Sequence, residues 1–521
     1  GIQVGADGLL QHFTGLLIGK DGKVRSVLTG PPPPVTFEHT LDGRGQTLLP
    51  GLIDGHGHVM DLGFAALRID VTGTRSIAEL QQRLRDYAAG HPDDAWILGF
   101  GWNQERWGLG RFPTSAELDA AVAGRPVWLM RADGHAGWAN SAALNAGGVS
   151  AGTKDPAGGR IERIAGGSKP AGVLVDAATA LVQRHLPAPR PEDRDFAFIA
   201  AQNVLLEHGV TAVADMGTTI EDWQAFRRAG DTGALRMRIM AYANGIDAMV
   251  LIAGAGPTPW LYDDKLRMGG VKLYVDGALG SRGAALKAPY ADSPGNTGLT
   301  LLDTIQLGNL MSRAAMDNFQ VAVHAIGDRA NSMVLDNIAQ LSATYKGDRR
   351  WRIEHAQVVD PAEIPRFGHF GTIASMQPVH QTSDRLMAEA RLGPTRLAGS
   401  YAWKSIAATG AVLAFGSDAP VEQPDPFAGM AAAISRQDAD GQPFGGWQPQ
   451  EIISREAALA AYTIGGARAG FAESRFGRLA KGQRADFILL DRDPMLATVA
   501  ELRETKVLQS WVGGQLAHRA D

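Results

Sequence analysis

Along most of this chain, short apolar runs alternate with longer stretches in which apolar residues recur at helical spacing. Eight of the runs read as strands, at residues 52–58, 210–216, 237–242, 270–275, 319–324, 352–356, 372–377 and 412–417. Strands that alternate with helical segments signal a parallel α/β fold, because each parallel pair needs a crossover to bring the chain back. Eight of them predict a distorted (β/α)8 TIM barrel over residues 50–469. Such barrels carry their chemistry at the C-terminal ends of the strands.

One interval breaks the rhythm: roughly 150 residues separate the first strand from the second. This insert, residues 60–205, holds helices of its own. Ser76-x-x-Glu79 and Thr114-x-x-Glu117 read as capping-box starts, and Ile77, Leu80, Leu84 and Tyr87 form an apolar stripe. Because the insert leaves a strand at its C-terminal end, it is expected to lie over the barrel mouth as a substrate lid. The two ends of the chain read differently. Residues 15–28 hold two apolar runs joined around Asp21-Gly22, a strong hairpin signal, and Pro31 to Pro34 exclude regular structure. Residues 476–493 repeat the style, with a turn at Lys481-Gly482 before the run 487–490. These strand-rich ends, 1–49 and 470–521, predict one small β-sandwich assembled from both termini.

Composition narrows the class of protein. With 45% hydrophobic and 20% charged residues the chain reads as a soluble globular enzyme, and no apolar run nears the length that crosses a bilayer. A net charge of −5, from 50 basic and 55 acidic side chains without a basic cluster, argues against nucleic acid. A small-molecule substrate is the expected partner, and a homodimer stays open. There is no cysteine, so any metal ligand must be His, Asp, Glu or a modified Lys. The chain starts at Gly1 without an initiator methionine. A removed secretory signal, with a periplasmic or secreted location, and a cytoplasmic location are both compatible with that start.

Candidate chemistry begins in residues 51–60, GLIDGHGHVM. His56 and His58 are two apart, so from a strand both imidazoles project to one face and can grip one metal ion. Alone the pair is a weak signal, but the later strands supply company. Lys272 stands inside an apolar strand, where an ammonium is costly unless modified or paired, with Asp276 or Glu354 as available partners. His324, His355 and Asp418 end strands and His380 follows one, so five of the 13 histidines fall where a barrel places chemistry. Asp418 reads equally as a helix cap when taken singly.

The motifs PGLIDGHGH, DGALGSR, VHAIGDRA, RIEHAQ, FGSDAPV and GRLAKGQRADFILLD span nearly the whole chain. Together they resemble the amidohydrolase superfamily, in the branch that contains N-substituted formamide deformylase. The resemblance implies a two-metal centre, most often zinc, with His56, His58 and Asp418 on one ion and His324 and His355 on the other. Lys272 would be carbamylated and bridge both ions. Asp418 would move the proton and His380 would orient the substrate carbonyl. In the insert, residues 101–107 (GWNQERW) and 133–141 (DGHAGWANS) resemble segments of that branch that face the active site. Trp102, Trp107 and Trp138 would then form an aromatic wall, with Gln104 and His135 as polar contacts. The plainer reading makes the tryptophans insert core and His135 a turn residue. Arg282 would bind a substrate carboxylate or pair with a neighbouring acid.

The implied reaction is hydrolysis of a C–N acyl bond by a metal-activated hydroxide. An ester, lactone, cyclic amide or terminal peptide bond is the alternative substrate, and a non-catalytic barrel the alternative class.

Overall fold

Strand-like runs bounded by helical periodicity become a parallel sheet in the computed structural model, which describes residues 1–34 and 36–520. The eight strands are β1 (Leu52–Gly57), β2 (Val210–Thr218), β3 (Arg238–Asn244), β4 (Leu266–Tyr274), β5 (Gln320–Ala325), β6 (Arg352–His355), β7 (Ile373–Met376) and β8 (Leu413–Phe415). Each is hydrogen-bonded to its neighbour in chain order, and all are parallel. β1, β5, β6 and β7 are buried along their whole length. Burial on both faces is why these strands read as continuous apolar runs.

The sheet curls until β8 meets β1, giving a nearly closed barrel. Side chains and loop backbone close the seam. The Asp54 carboxylate accepts from Ser417 N at 3.0 Å and from His56 N at 3.1 Å, Asp418 N donates to His56 O at 2.7 Å, and His58 N to Ala419 O at 2.8 Å. Only glycine fits at position 55, where a Cβ would lie 2.8 Å from Phe415 O. Outside the barrel, amphipathic helices hold the strands in place. The helix Thr304–Met316 starts in a capping box between Asp303 and Gln306 and buries Leu307, Met311, Ala314 and Ala315. Full burial of a side chain the size of Leu307 contributes about 1.5–3 kcal/mol.

The insert is a sheet of its own. Six strands lie in the order Gly159–Arg163, Pro170–Asp176, Ala136–Ala139, Val127–Arg131, Ile97–Trp102 and Ile69–Asp70. The helix Ile77–Gly90 packs on it, capped by Ser76, whose hydroxyl accepts from Glu79 N, and buries Leu80 and Leu84. The helices Val59–Leu67 and Pro191–Glu207 pack on each other and join the barrel core. Their contact is backbone-close, since a Cβ on Gly63 would lie 2.0 Å from Ala197 O. The separate sheet runs from Ile69 to Asp176, inside the insert 60–205.

The chain ends meet. Gln515–Arg519, Val507–Val512, Phe487–Leu490 and Thr47–Pro50 form an antiparallel sheet, and the hairpin Gly15–Ile18/Val24–Leu28 is tied to the C-terminal segment by Val24 N to Gln483 O at 2.8 Å. Phe13, Val24, Leu479, Ala485 and Phe487 share one apolar cluster. Arg238 of β3, fully buried, donates to Asp486 at 2.6 and 2.7 Å and so fastens this unit to the barrel. Among the described residues no helix is long and apolar enough to cross a membrane.

Candidate metal centre

The register of the barrel brings the polar strand-end residues to one place. Lys272 and Tyr274 lie two apart on β4 and share a face, Tyr274 pairs with His324 on β5, and His324 pairs with Glu354 on β6. In a regular strand His355 would point away from Glu354's side. Instead His355 and Ala356 have φ of +73° and +42°, and Asp418 has φ of +60°. Side chains adopt this left-handed region at a cost of about 1–3 kcal/mol, which persists where the surroundings impose it, as at functional sites. The turns swing His355 and Asp418 into the group around His56.

His56 is the hub. Its Nδ1 is 2.6 Å from Glu354 Oε2, and its Nε2 lies 3.3 Å from Lys272 Nζ and 3.3 Å from Asp418 Oδ1. Glu354 is itself gripped by Arg352 at 2.7 and 3.0 Å, and Arg352 reaches Tyr242 Oη, Gly55 O and Ser375 Oγ. Burial works against the Glu354 charge, but Arg352 outweighs it and holds the carboxyl well below the usual range. An ionised Glu354 accepts a hydrogen bond from Nδ1–H of His56, which leaves Nε2 with its lone pair toward the centre. Gln377 Oε1 does the same for His355 at Nδ1, 2.8 Å away. His58 Nε2 is 3.0 Å from Asp418 Oδ1, and His380 Nε2 is 3.7 Å from Asp418 Oδ2.

The electrostatics suit a cation. Burial pushes His324 and His355 well below their ordinary value, so both rings are neutral donors. Burial also opposes the Asp418 charge, yet hydrogen bonds and charge from His56 and His58 keep it ionised, well below the usual range. Lys272 is drawn down to about 8 by burial, with Glu354 and Asp418 pulling the other way. It reaches ion-pairing distance of neither Asp276 nor Glu354. Asp276 instead accepts from the backbone of Ala285, Ile326 and Gly327.

Two groups of donors lie close enough to hold an ion: His56, His58 and Asp418, and His355, His380 and Asp418, each within 4.8 Å. Nε2 of His324 and Nε2 of His380 are buried without a hydrogen-bond partner. A buried polar atom left so costs about 1–3 kcal/mol, and an imidazole–carboxylate donor set is what a zinc-like ion takes. The residues present therefore fit a metal. His380, expected to orient a carbonyl, completes the second group, whereas His324 stands beside it with its ring centroid 4.6 Å from that of His355.

A model of the amidohydrolase family matches residues 39–518. The chain belongs to the amidohydrolase family. It is 36% identical over 498 residues to Protein LONG AFTER FAR-RED 3 of Arabidopsis thaliana, covering 92% of this chain and 83% of the relative. It is 28% identical over 503 residues to N-substituted formamide deformylase of Arthrobacter pascens, covering 92% and 89%. A metal-dependent hydrolase of Pyrococcus horikoshii superposes with a TM-score of 0.75 at 27% identity, over 94% of this chain and 96% of the other.

In this amidohydrolase a cleft of two lobes meets at His135, His324, His355 and Asp418. The larger lobe, about 450 Å³, is lined by Met60, Phe64, Arg68, Phe100, Met130 and Met216 beside Lys272 and Tyr274. The other is polar, with Asn103, Arg131, His380, Asp384 and Glu422. The insert thus walls both lobes.

Several expected substrate contacts are corrected by this geometry. Gly101, Asn103, Glu105 and Arg106, at the end of the strand Ile97–Trp102 and in the turn after it, line the cleft, whereas Trp102 and Gln104 do not. Trp102 is fully buried and donates to Leu129 O; Trp138 is also buried, T-shaped against Trp102 and tilted against the half-buried Trp107, and the three indoles belong to the insert core. Gln104 accepts from Arg131 Nε at 2.9 Å. Arg282 pairs with Asp292 at 2.8 Å and does not line the cleft. His135 does face it, with Nδ1 2.8 Å from Asp176 Oδ1. Burial opposes its charge, but Asp176 lifts it to about 9.

The sequence reading missed Arg352 and Glu354 as supports, and Tyr274, Asn103, Asp384 and Arg68 as cleft residues. Two opposite charges spaced two apart in the apolar strand RIEH were the available signal for the first pair.

Proposed function

We propose that this hydrolase cleaves a C–N acyl bond, in an amide, N-formyl or N-acyl amine, at a centre of two divalent ions, zinc in the first instance. His56, His58 and Asp418 would hold one ion, and His324 and His355 the other, with His380, which lies closer to His355 and Asp418 in the donor grouping, as the alternative to His324. When bound, such ions lower the pKa of a water to near neutrality and polarise a carbonyl. Lys272 is buried and drawn toward its neutral amine. That is the form that adds carbon dioxide, forming an N–C bond and releasing a proton. The resulting carbamate anion supplies oxygen donors and removes the cost of a buried ammonium.

Asp418 takes the proton of the attacking water and delivers it to the leaving nitrogen. Its position carries the reading: an ionised carboxylate within 4 Å of the imidazoles of His56, His58 and His380, at the junction of the two lobes. The C–N choice is supported by the resemblance to N-substituted formamide deformylase. The insert walls exclude water and set which acyl and amine groups enter. Metal analysis combined with a panel of N-acyl amines and matched esters tests this. Close to two equivalents of metal and faster amide than ester turnover are expected. Less than about 0.1 equivalent after growth with zinc overturns the metal centre, and turnover of esters alone overturns the bond.

A further inference from the structure

Arg68 follows the helix Val59–Leu67 that leaves the β1 histidines, and it lines the larger lobe. It is half-buried, with its guanidinium carbon 4.4 Å from the centroid of the Phe64 ring. None of its side-chain N–H groups donates to another group among the described residues, so the fork is free for a planar acceptor. No carboxylate among the described residues pairs with it. Arg194, on the same Phe64 ring, is taken by Asp222, and Arg131 is taken by Asp133. Asp215 is engaged by Val59 N and Thr218. Asp61 is exposed and influences Arg68 only through its field.

A half-buried guanidinium without a counter-ion is costly, and an acceptor brought by a ligand relieves it. Met60, Phe64, Phe100, Met130 and Met216 give the lobe an apolar surface, beside polar groups from Gln183, Thr219 and Asn244. Asp61, Asp133, Asp215 and Asp222 also border it, with Asp133 and Asp222 paired to Arg131 and Arg194, and their charge weighs more against a dianion such as a phosphate monoester than against a singly charged carboxylate.

Resting on the hydrolase reading above, we infer that Arg68 is a specificity residue and that the substrate is an N-acyl amine whose apolar arm ends in a carboxylate. The arm fills the larger lobe, its carboxylate meets Arg68 in a bidentate pair, and the scissile bond lies at Asp418.

The test uses the metal-loaded full chain and N-acyl amines with an apolar arm ending either in a carboxylate or in the matched carboxamide. The acid is expected to have the higher kcat/KM by about 10- to 100-fold, the range of a charge-assisted pair. Arg68→Gln should bring the ratio of acid to carboxamide close to one, and Arg68→Lys should restore part of it. Equal rates for the two substrates in the wild type, or an unchanged ratio in Arg68→Gln, overturn the inference. If neither substrate is hydrolysed, the C–N acyl reading fails, and calorimetric binding still decides the role of Arg68. A phenylalkyl carboxylate should bind the wild type at least about tenfold more tightly than it binds Arg68→Gln, while the matched carboxamide shows no such gap. Equal loss for both ligands overturns it.

Discussion

The barrel and the insert both supply walls to one cleft, but they hide and expose their residues by opposite logic. In the barrel the strands are buried on both faces, so a charged or imidazole side chain among apolar neighbours is conspicuous and needs a partner. His56, Lys272, His324 and Glu354 stand out for that reason and are found together. In the insert the conspicuous residues are tryptophans, and they fill its core, while the less noticeable Asn103 and Glu105 face the cleft. Rare polar residues inside a barrel point to chemistry, whereas large aromatic residues in a covering sheet point first to packing.

That contrast can be broken at either end. Asp418→Asn should lower kcat by about 10²–10⁴-fold while at least one metal remains bound, as expected of a group that moves the proton. Steady-state rates and metal analysis on the same preparation check it, and near-normal turnover would remove Asp418 from that role. Glu354→Gln removes the charge that pairs with the buried Arg352 and leaves one amide oxygen to serve both Arg352 and His56. A loss of about 3–5 kcal/mol in unfolding free energy and a 10- to 100-fold weaker metal affinity are expected. Denaturant melts that coincide with the wild type would show the pair to be dispensable.

In the insert, Trp102→Ala should cost about 3–5 kcal/mol by leaving a cavity in its core. Limited proteolysis within residues 69–176 should accelerate, with metal content unchanged. A shift in substrate preference without loss of stability would return Trp102 to the cleft wall. The smallest effect is expected at Asn103→Ala: KM changes across a substrate panel, with stability within about 0.5 kcal/mol of the wild type. An unchanged KM profile would mean that the smaller lobe does not touch substrate.

Much of the architecture was legible in the chain. The eight strands fall within a few residues of where periodicity put them, and helices start at Ser76 and Thr114 as expected, with a capping box at Thr114 and a hydroxyl cap at Ser76, where Glu79 accepts from Arg75 N instead. Both signals are local: side-chain alternation and backbone capping act over three or four residues. Substrate contacts in the insert were misread because the strand ends at Trp102 and the turn after it decides which side chains reach the cleft. Nothing in GWNQERW by itself says which side of the sheet covers the cleft. Arg282 was the arginine singled out for a substrate carboxylate, yet Asp292, ten residues on, claims it, while Arg68 drew no notice and is left unpaired.

By itself the sequence determined that this protein would be a strand–helix barrel with imidazoles, a lysine and a carboxylate at its strand ends, because burial on both faces of a parallel strand makes any polar residue there exceptional. Tertiary structure alone decided how they meet. Asp418 reaches His58 across 360 positions of chain only where β8 closes on β1, and His355 turns inward only because its backbone is held left-handed. Which arginine stays free likewise depends on where every carboxylate finally lies, since pairing is settled by distance in space and not by spacing along the chain.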